Sequence, residues 1–593
     1  MIPSTTTSTP RASVPAARSH LKTRLAHSKA AQVVDTNVAS YDRTDPFMAF
    51  NALLKLLGSL PSRVGGCQFR LTSEEHKLSL HLLSIVEPFV GLAPSQRSIT
   101  RQPTEILDAI VFHVDAKRDL VALALSCQRM HDIVFPRHYD YRHIRCKVSS
   151  LSVWNHLIVH RSLARNVRRL EILDERAPST EMLVPGDIMG TDTDMDSTDD
   201  ELGMHAKQER FLVKALAKMT ALKAFTWSCN HSPISIDNVW PTLLKCQSLE
   251  EVDISDNLVF SGGDVLEETE GSGSKARRPV VLQDLKTVAV RSTKHAFGSS
   301  KNPVLSRISG MLTHCPNLEN LDITYSQPRN ASTSHPVADE LLLYSRFPHL
   351  TSLALTNIRC NVADAPRTFL SAHSLLTSLR LDLGASHRLD LPPNALPHLR
   401  ELHCNREVAT TVLTCPSDSP RPIETLRGMR LAGSAAGTAT DTRFLESLRA
   451  FGGGIKRIEL SGWNEMDDVR RLADAIPGLV WLDVGKRHGA QRGPPVANAA
   501  EWATLLAGMA ELTTFHGVRF FYEVSAGATA GKEINLTLAD RSRVRKNDEV
   551  ASVLAWRCPK LRRLDHWEEG GGKVVVLVRD AEKVKLQVRR VKA

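Results

Sequence analysis

The sequence predicts an α/β chain: a small helical domain near the start, then an irregular solenoid of strand-and-helix repeats, all behind a disordered N-terminal tail. Three observations predict it. At 593 residues the chain is longer than the roughly 250 to 300 residues at which one core stops growing, so it holds several domains or a repeat array. The stretch QPTEILDAIVFHVDAKRDLVALALSCQRMHDIV at 102–134 packs three helical stripes into a short span. From about residue 165 onward the spacing LxxLxL recurs.

Residues 1–44 read as the disordered basic tail. They are rich in Ser, Thr and Arg with no acid before Asp35, a composition shared with mitochondrial transit peptides and poor in the apolar surface that offsets ordering entropy. Residues 45–97 form a helical region of unassigned role, with PFMAFNALLKLLGSL and EEHKLSLHLLSIVEPFV. Residues 98–145 hold the three short helices. Ile106, Leu107, Ile110, Val111 and Val114 share one helix face behind Pro103, which a first helical turn tolerates. Leu120, Leu123, Ala124 and Cys127 form a second stripe, and Met130, Ile133 and Val134 a third. So small a unit buries little by itself and leaves apolar surface for a partner.

Residues 146–593 read as the solenoid. KCQSLEEVDIS, HCPNLENLDIT and RCPKLRRLDHW are copies of one slot, as are FPHLTSLALT, LPHLRELHCN and IPGLVWLDVG. With weaker copies the set numbers thirteen, beginning at 167, 222, 249, 285, 318, 350, 376, 399, 426, 455, 479, 512 and 561. Those intervals bracket the period of leucine-rich repeats, each a short strand followed by a helical or irregular return. A disordered acidic insertion is expected at about 174–205, and the alternating C-terminal KVVVLVRDAEKVKLQVRRVK as a capping strand pair.

The chemistry-bearing patterns are few. The ten cysteines include no CxxC pair, which argues for reduced thiols and against a zinc site. Cys246, Cys315 and Cys558 alternate with hydrophobes at one repeat position and read as buried structural thiols. His131, His138, His143 and Cys146 fit no metal-site spacing, Asp192, Asp194 and Asp196 lack the glycine and glutamate of a calcium loop, and Gly452–Gly454 lack the GK[ST] of a phosphate loop. Ser197 and Thr198 precede acids and suit an acid-directed kinase. The expectation is a non-enzyme with no cofactor and no metal. LSLHLLSIVEPFVGL is too short to span a bilayer, so no membrane partner is expected, and the site of action is cytoplasmic, nuclear or both.

The stretch at 102–130 resembles the F-box. Its opening Leu-Pro-x-Glu-Ile-Leu reads here Gln102-Pro103-Thr104-Glu105-Ile106-Leu107, followed by Asp119-Leu120 and by Leu125-Ser126-Cys127-Gln128-Arg129-Met130. Gln102 stands where the usual leucine does, and Met130 where the usual tryptophan does. Together with the CPNLENLDI-type repeats, the chain is similar to the F-box plus leucine-rich-repeat class of fungal proteins. The resemblance implies the substrate-receptor subunit of a Skp–cullin–F-box ubiquitin ligase. Its adaptor-facing residues would be Pro103, Ile106, Leu107, Ile110, Leu120, Leu123 and Met130, and its repeats would capture a protein substrate. The alternative is a leucine-rich-repeat scaffold for protein–protein interaction that recruits no ligase.

Charge along the repeats refines the partner. The chain carries a net charge of +10. In each LxxLxL copy, the residues flanking the two inward side chains point to the opposite, concave face. These positions supply nine acids (Glu171, Glu251, Asp253, Asp322, Asp382, Glu401, Glu459, Asp483 and Asp565) against six bases (Arg169, Arg291, Arg380, Arg430, Arg457 and Arg563), a balance of −3. An acidic face repels a phosphate backbone, so no nucleic acid is expected. It predicts capture of a protein through a basic or mixed-charge segment, at Asp253, Asp322, Arg380, Asp382, Arg457, Glu459 and Asp483, with Trp481 and Trp567 as anchors.

Overall fold

The computed structural model describes residues 34–60, 70–89, 99, 102–188, 201–229, 234, 236, 239–256, 281–292, 305–326, 335–383, 389–431, 438–487, 497–524, 537–566, 572–580 and 584–590. The chain divides into two compact units, Met1–Leu107 and Asp108–Ala593.

In the first unit, helix α1 (Pro46–Ser59) starts under Asp45, whose carboxylate accepts from the Met48 N–H, and α2 (Ser73–Val86) starts with a capping box between Thr72 and Glu75. Ala49 and Ala52 of α1 meet Leu78, Leu82, Ile85 and Val86 of α2 in a small core that Val34 and Tyr41 also touch. The tail reading of 1–44 therefore reaches too far: residues 34–44 include a 3-10 turn at Val38–Ser40 and supply Val34 and Tyr41 to that core. Residues 1–33 lie outside the described residues.

Three further helices follow as the stripes predict: α3 (Thr104–Phe112), α4 (Lys117–Ala124) and α5 (Gln128–Val134). The division between the units falls inside α3.

Beyond α5 the second unit is a sheet of seventeen strands: β1 (His143–Lys147), β2 (Arg169–Leu173), β3 (Ala224–Ser228), β4 (Glu251–Asp256), β5 (Thr287–Ser292), β6 (Asn320–Tyr325), β7 (Ser352–Thr356), β8 (Ser378–Leu381), β9 (Glu401–Cys404), β10 (Thr425–Arg430), β11 (Arg457–Trp463), β12 (Trp481–Asp483), β13 (Lys486–Arg487), β14 (Thr514–His516), β15 (Arg563–Asp565), β16 (Lys573–Arg579) and β17 (Val584–Arg590). From β1 to β15 successive strands pair in parallel in chain order, with the short β13 pairing to β11 and β14 to β12. A parallel neighbour requires a crossover, and the returns between strands provide it, many of them helical. β16 and β17 close the end as an antiparallel pair. This is a repeat solenoid.

Alternation within each strand builds the core. Leu170, Phe225, Val252, Val288, Leu321, Leu353, Leu379 and Leu402 are one register row, all buried. They lie in one continuous apolar cluster with helix residues such as Phe369 and Val412. The residues between them form a second row on the opposite, open face of the sheet.

Three sequence expectations are corrected. The sheet begins inside the segment assigned to the helical domain, because Tyr141, Ile144 and Cys146 are buried like the apolar positions of a repeat and β1 pairs with β2. The copy placed at 426 is shifted by three residues: Leu426 pairs with Ile458, and a bulge at Gly428 lets Met429 pair with Leu460. The acidic insertion is shorter than 174–205. Leu183 bridges to Arg145, Asp187 accepts from the Tyr141 hydroxyl at 2.7 Å, Ile188 is buried, and a helix starts at Glu201 and buries Leu212, Ala215 and Leu216. The run Asp192–Asp200, with Ser197 and Thr198, lies outside the described residues.

Candidate functional site: the helical segment and the open face of the sheet

The F-box-like residues separate by exposure. Leu107, Leu120 and Met130 are fully buried, and Leu123 is half-buried. Pro103, Ile106 and Ile110 are exposed, Ile110 at 41%. Leu125, not among the residues expected to face an adaptor, is 80% exposed. The stripe pattern misses it because it follows the last turn of α4, where a helical period no longer decides which side faces out.

Within the second unit, the helical segment is locked to the sheet by one buried arginine. Arg142, 1% exposed, donates from Nη2 to the Val111 and Phe112 carbonyls at 2.7 and 3.0 Å, from Nε to Val114 O at 3.0 Å and from Nη1 to Asn166 O at 2.9 Å. Three of those acceptors are at the C-terminal end of α3, where carbonyls lack helical partners. Arg168 adds a bond to Phe112 O, an ion pair with Asp115 and a face-on contact with the Phe112 ring. Burial and the neighbouring Arg168 push the Arg142 guanidinium down to about 10, which leaves it cationic at neutral pH.

The open face carries a row of charge in strand register: Arg145, Glu171, Thr226, Asp253, Ala289, Asp322, Ala354, Arg380, His403, Arg427, Glu459, Asp483, His516 and Asp565. Most of its acids are already paired. Glu171 accepts from His143 Nε2 at 2.9 Å, Arg145 Nε at 2.6 Å and Arg169 Nε at 2.7 Å. Burial raises its pKa, but the arginine hydrogen bonds win and hold the carboxyl below the ordinary glutamate value. Ala289 stands between Asp253 and Asp322, and over its methyl group Arg291 reaches both, at 2.8 Å and 3.2 Å. Glu459 takes Arg427 at 3.2 Å and Arg457 at 2.6 Å, and Asp565 accepts from His516 Nδ1 and the Gly517 N–H.

Of the residues expected to form the substrate face, Trp481 is half-buried, with the Arg457 guanidinium 3.9 Å from its ring and His516 packed alongside. Asp483 is turned to the Gly485 N–H, and burial raises its pKa. Arg380 and Asp382 are exposed, and Trp567 lies outside the described residues.

The expected balance of −3 does not hold. The sequence register omitted β1 and misplaced β10; restoring them adds Arg145, Lys147 and Arg427. Nine bases then face nine acids, and the face is neutral in sum. His143, His403 and His516 also belong to it. All three occupy flanking positions of a strand, a signal the sequence carries alongside its acids and arginines.

Among the described residues, no group of three or more His, Cys, Asp or Glu is placed to hold a metal ion, and no helix is long and apolar enough to cross a membrane. None of the nine described cysteines is in a disulfide. Cys315 donates to the Met311 carbonyl, and burial pushes its thiol up to about 12.

The sequence matches no established family profile and no curated protein. Several solved structures are similar, two of them as follows. A chain of the yeast Rad7 and Elc1 complex is 16% identical, over 79% of this chain and 99% of that one, with a TM-score of 0.32. The TLR13–ssRNA13 complex is 10% identical, over 52% of this chain and 55% of that one, with a TM-score of 0.19; this chain thus spans about half of TLR13. Likeness at these TM-scores carries no inference about this protein.

Proposed function

We propose that the chain is a non-catalytic substrate receptor of a cullin-RING ubiquitin ligase, acting in the cytoplasm or nucleus. Its F-box-like helices would dock on the adaptor subunit while the open face of the sheet holds a protein to be ubiquitylated. The observation that carries this reading is the Arg142 clamp. It ties the C-terminal end of α3 to the first strands, so a partner on the helices and a partner on the sheet are held at one fixed geometry. A receptor that positions its cargo for transfer needs that rigidity. In the second unit the exposed apolar side chains Ile110 and Leu125 are those available to an adaptor, whereas Leu120 and Met130 shape the segment from within.

Co-purification tests it. Ile110→Asp combined with Leu125→Asp places two carboxylates on exposed positions, so folding is unaffected and adaptor recovery is expected to fall more than tenfold, since each buried, unpaired carboxylate costs a few kcal/mol. Adaptor recovery at the wild-type level from the double variant refutes the docking surface. Wild-type protein that brings down protein partners but no adaptor is the non-ligase scaffold.

A further inference from the structure

The open face contains a cluster of basic side chains in which the acids of the face neutralise Arg427 but leave Arg380 without a partner among the described residues. In the central row Arg145 and Arg427 each have a carboxylate partner; Arg380, exposed on β8, has none among the described residues. On one side of it stands Ala354, with only a methyl group, and on the other His403 and then Arg427. Neighbouring strands lie about 4.8 Å apart, so the three basic side chains share a stretch of about 10 Å.

The imidazole is built into this position. Gly428 has φ +85, and a Cβ there would come within 2.5 Å of His403 Cδ2 and 2.7 Å of Nε2. The bulge in β10 thus exists where the ring needs room, and it keeps the ring against backbone instead of leaving it free in solvent. Burial, Arg380 and Arg427 hold His403 below the ordinary histidine pKa, with Glu459 and Asp382 opposing them. An anion laid against Arg380 adds negative charge beside the ring and favours its protonated form.

We propose that Arg380, His403 and Arg427 form a subsite for an anionic side chain, a phosphate ester or a cluster of carboxylates, on the protein captured by this face, and that His403 takes up a proton as the anion binds. This rests on reading the open face as a capture surface. It departs from the polarity expected from the sequence: Glu171, Asp253, Asp322 and Glu459 are taken by arginines of the face itself, and the charge left at Arg380 is positive.

Two measurements on the full chain test it. In protein labelled with carbon-13 at histidine Cε1, the His403 resonance is assigned by its loss in His403→Gln. Inorganic sulfate, which does not titrate between pH 6 and 8, is expected to move its midpoint upward. Fluorescence anisotropy then compares a glutamate-rich and a phosphoserine-containing peptide pool at pH 6 and pH 8. Glutamate, with a pKa of about 4.3, stays ionised throughout, so pH dependence in that arm belongs to the protein. Affinity for it is expected to be a few-fold higher at pH 6 than at pH 8, since the full tenfold that one unit of pKa shift allows is reached only below both the free and the bound pKa. His403→Gln removes that dependence, and Arg380→Ala weakens binding about tenfold at both pH values with an unchanged melting temperature. Phosphoserine titrates near pH 6, and its affinity at pH 8, where it is dianionic, identifies the preferred anion. A silent His403 resonance, binding that ignores Arg380→Ala, or no binding of either pool overturns the subsite. Adaptor co-purification does not depend on these residues, so such a failure leaves the receptor reading intact.

Discussion

Replacing Arg142 by alanine removes four hydrogen bonds at once and leaves the carbonyls of Val114 and Asn166 without this donor, while Phe112 O keeps Arg168 and Val111 O keeps the Val114 N–H. A hydrogen bond to a charged group contributes about 1.5–3 kcal/mol, but truncation also relieves the cost of burying an unpaired guanidinium. That relief is real here, since among the described residues no carboxylate pairs with Arg142 and burial depresses its pKa. Partial cancellation brings the expected loss to about 3–5 kcal/mol, a large fraction of the stability of a domain. In a repeat array the damage stays local, so it is read by hydrogen exchange. Amides of α3 and of β1 should exchange about 100-fold faster or more, while those of β5 to β8 remain unchanged. Arg142→Met keeps the volume and removes the buried charge, and it should recover part of the loss. If Arg142→Ala changes stability by less than about 0.5 kcal/mol and leaves α3 protection intact, the clamp does not exist, and the rigid link on which the receptor reading depends goes with it.

Other outcomes follow from single sites. Gly428→Ala combines a left-handed φ with a clash against the His403 ring and should cost about 2–3 kcal/mol in denaturant unfolding; a neutral result would mean that the bulge relaxes freely. Glu171 has a folded pKa below its unfolded one, so its contribution is present above about pH 4.3 and lost as pH falls through the lower folded value. Glu171→Gln should therefore flatten the acid limb of the stability curve, and an unchanged limb contradicts the pairing. Deleting 174–210 removes Ile188, the Tyr141–Asp187 bond and most of the helix Glu201–Leu216; a melting-temperature drop of several degrees is expected, and an unaltered melt would show that this segment is dispensable. In the native protein iodoacetamide should modify half-buried Cys127 well before buried Cys315, as peptide mapping would show.

By itself the sequence determined what repeats. Residue type at the buried positions is dictated by a pleat of period two and a crossover of roughly fixed length, so LxxLxL placed nearly every strand, the three stripes placed α3 to α5, and alternation in 573–590 placed the closing pair. The same rule holds for Tyr141, Ile144 and Cys146, which β1 buries, but with an aromatic ring and a thiol in place of leucine.

Only the tertiary structure decided what the non-repeating positions do. One extra residue at Gly428 shifts a register, so that Met429 is buried beside Leu460 and Arg430 is exposed, because a bulge alters which side chains point where without changing the apolar count. Which leucines of the helical segment are exposed depends on what packs over them, and periodicity is blind to that. Whether a charge is available depends on its neighbour one strand away, some 30 residues distant in the chain, as Arg291 is to Asp253 and Asp322. Ion pairing falls off over a few ångströms of space, a distance that no linear reading contains, and for that reason the charge balance of the open face had to come from the fold.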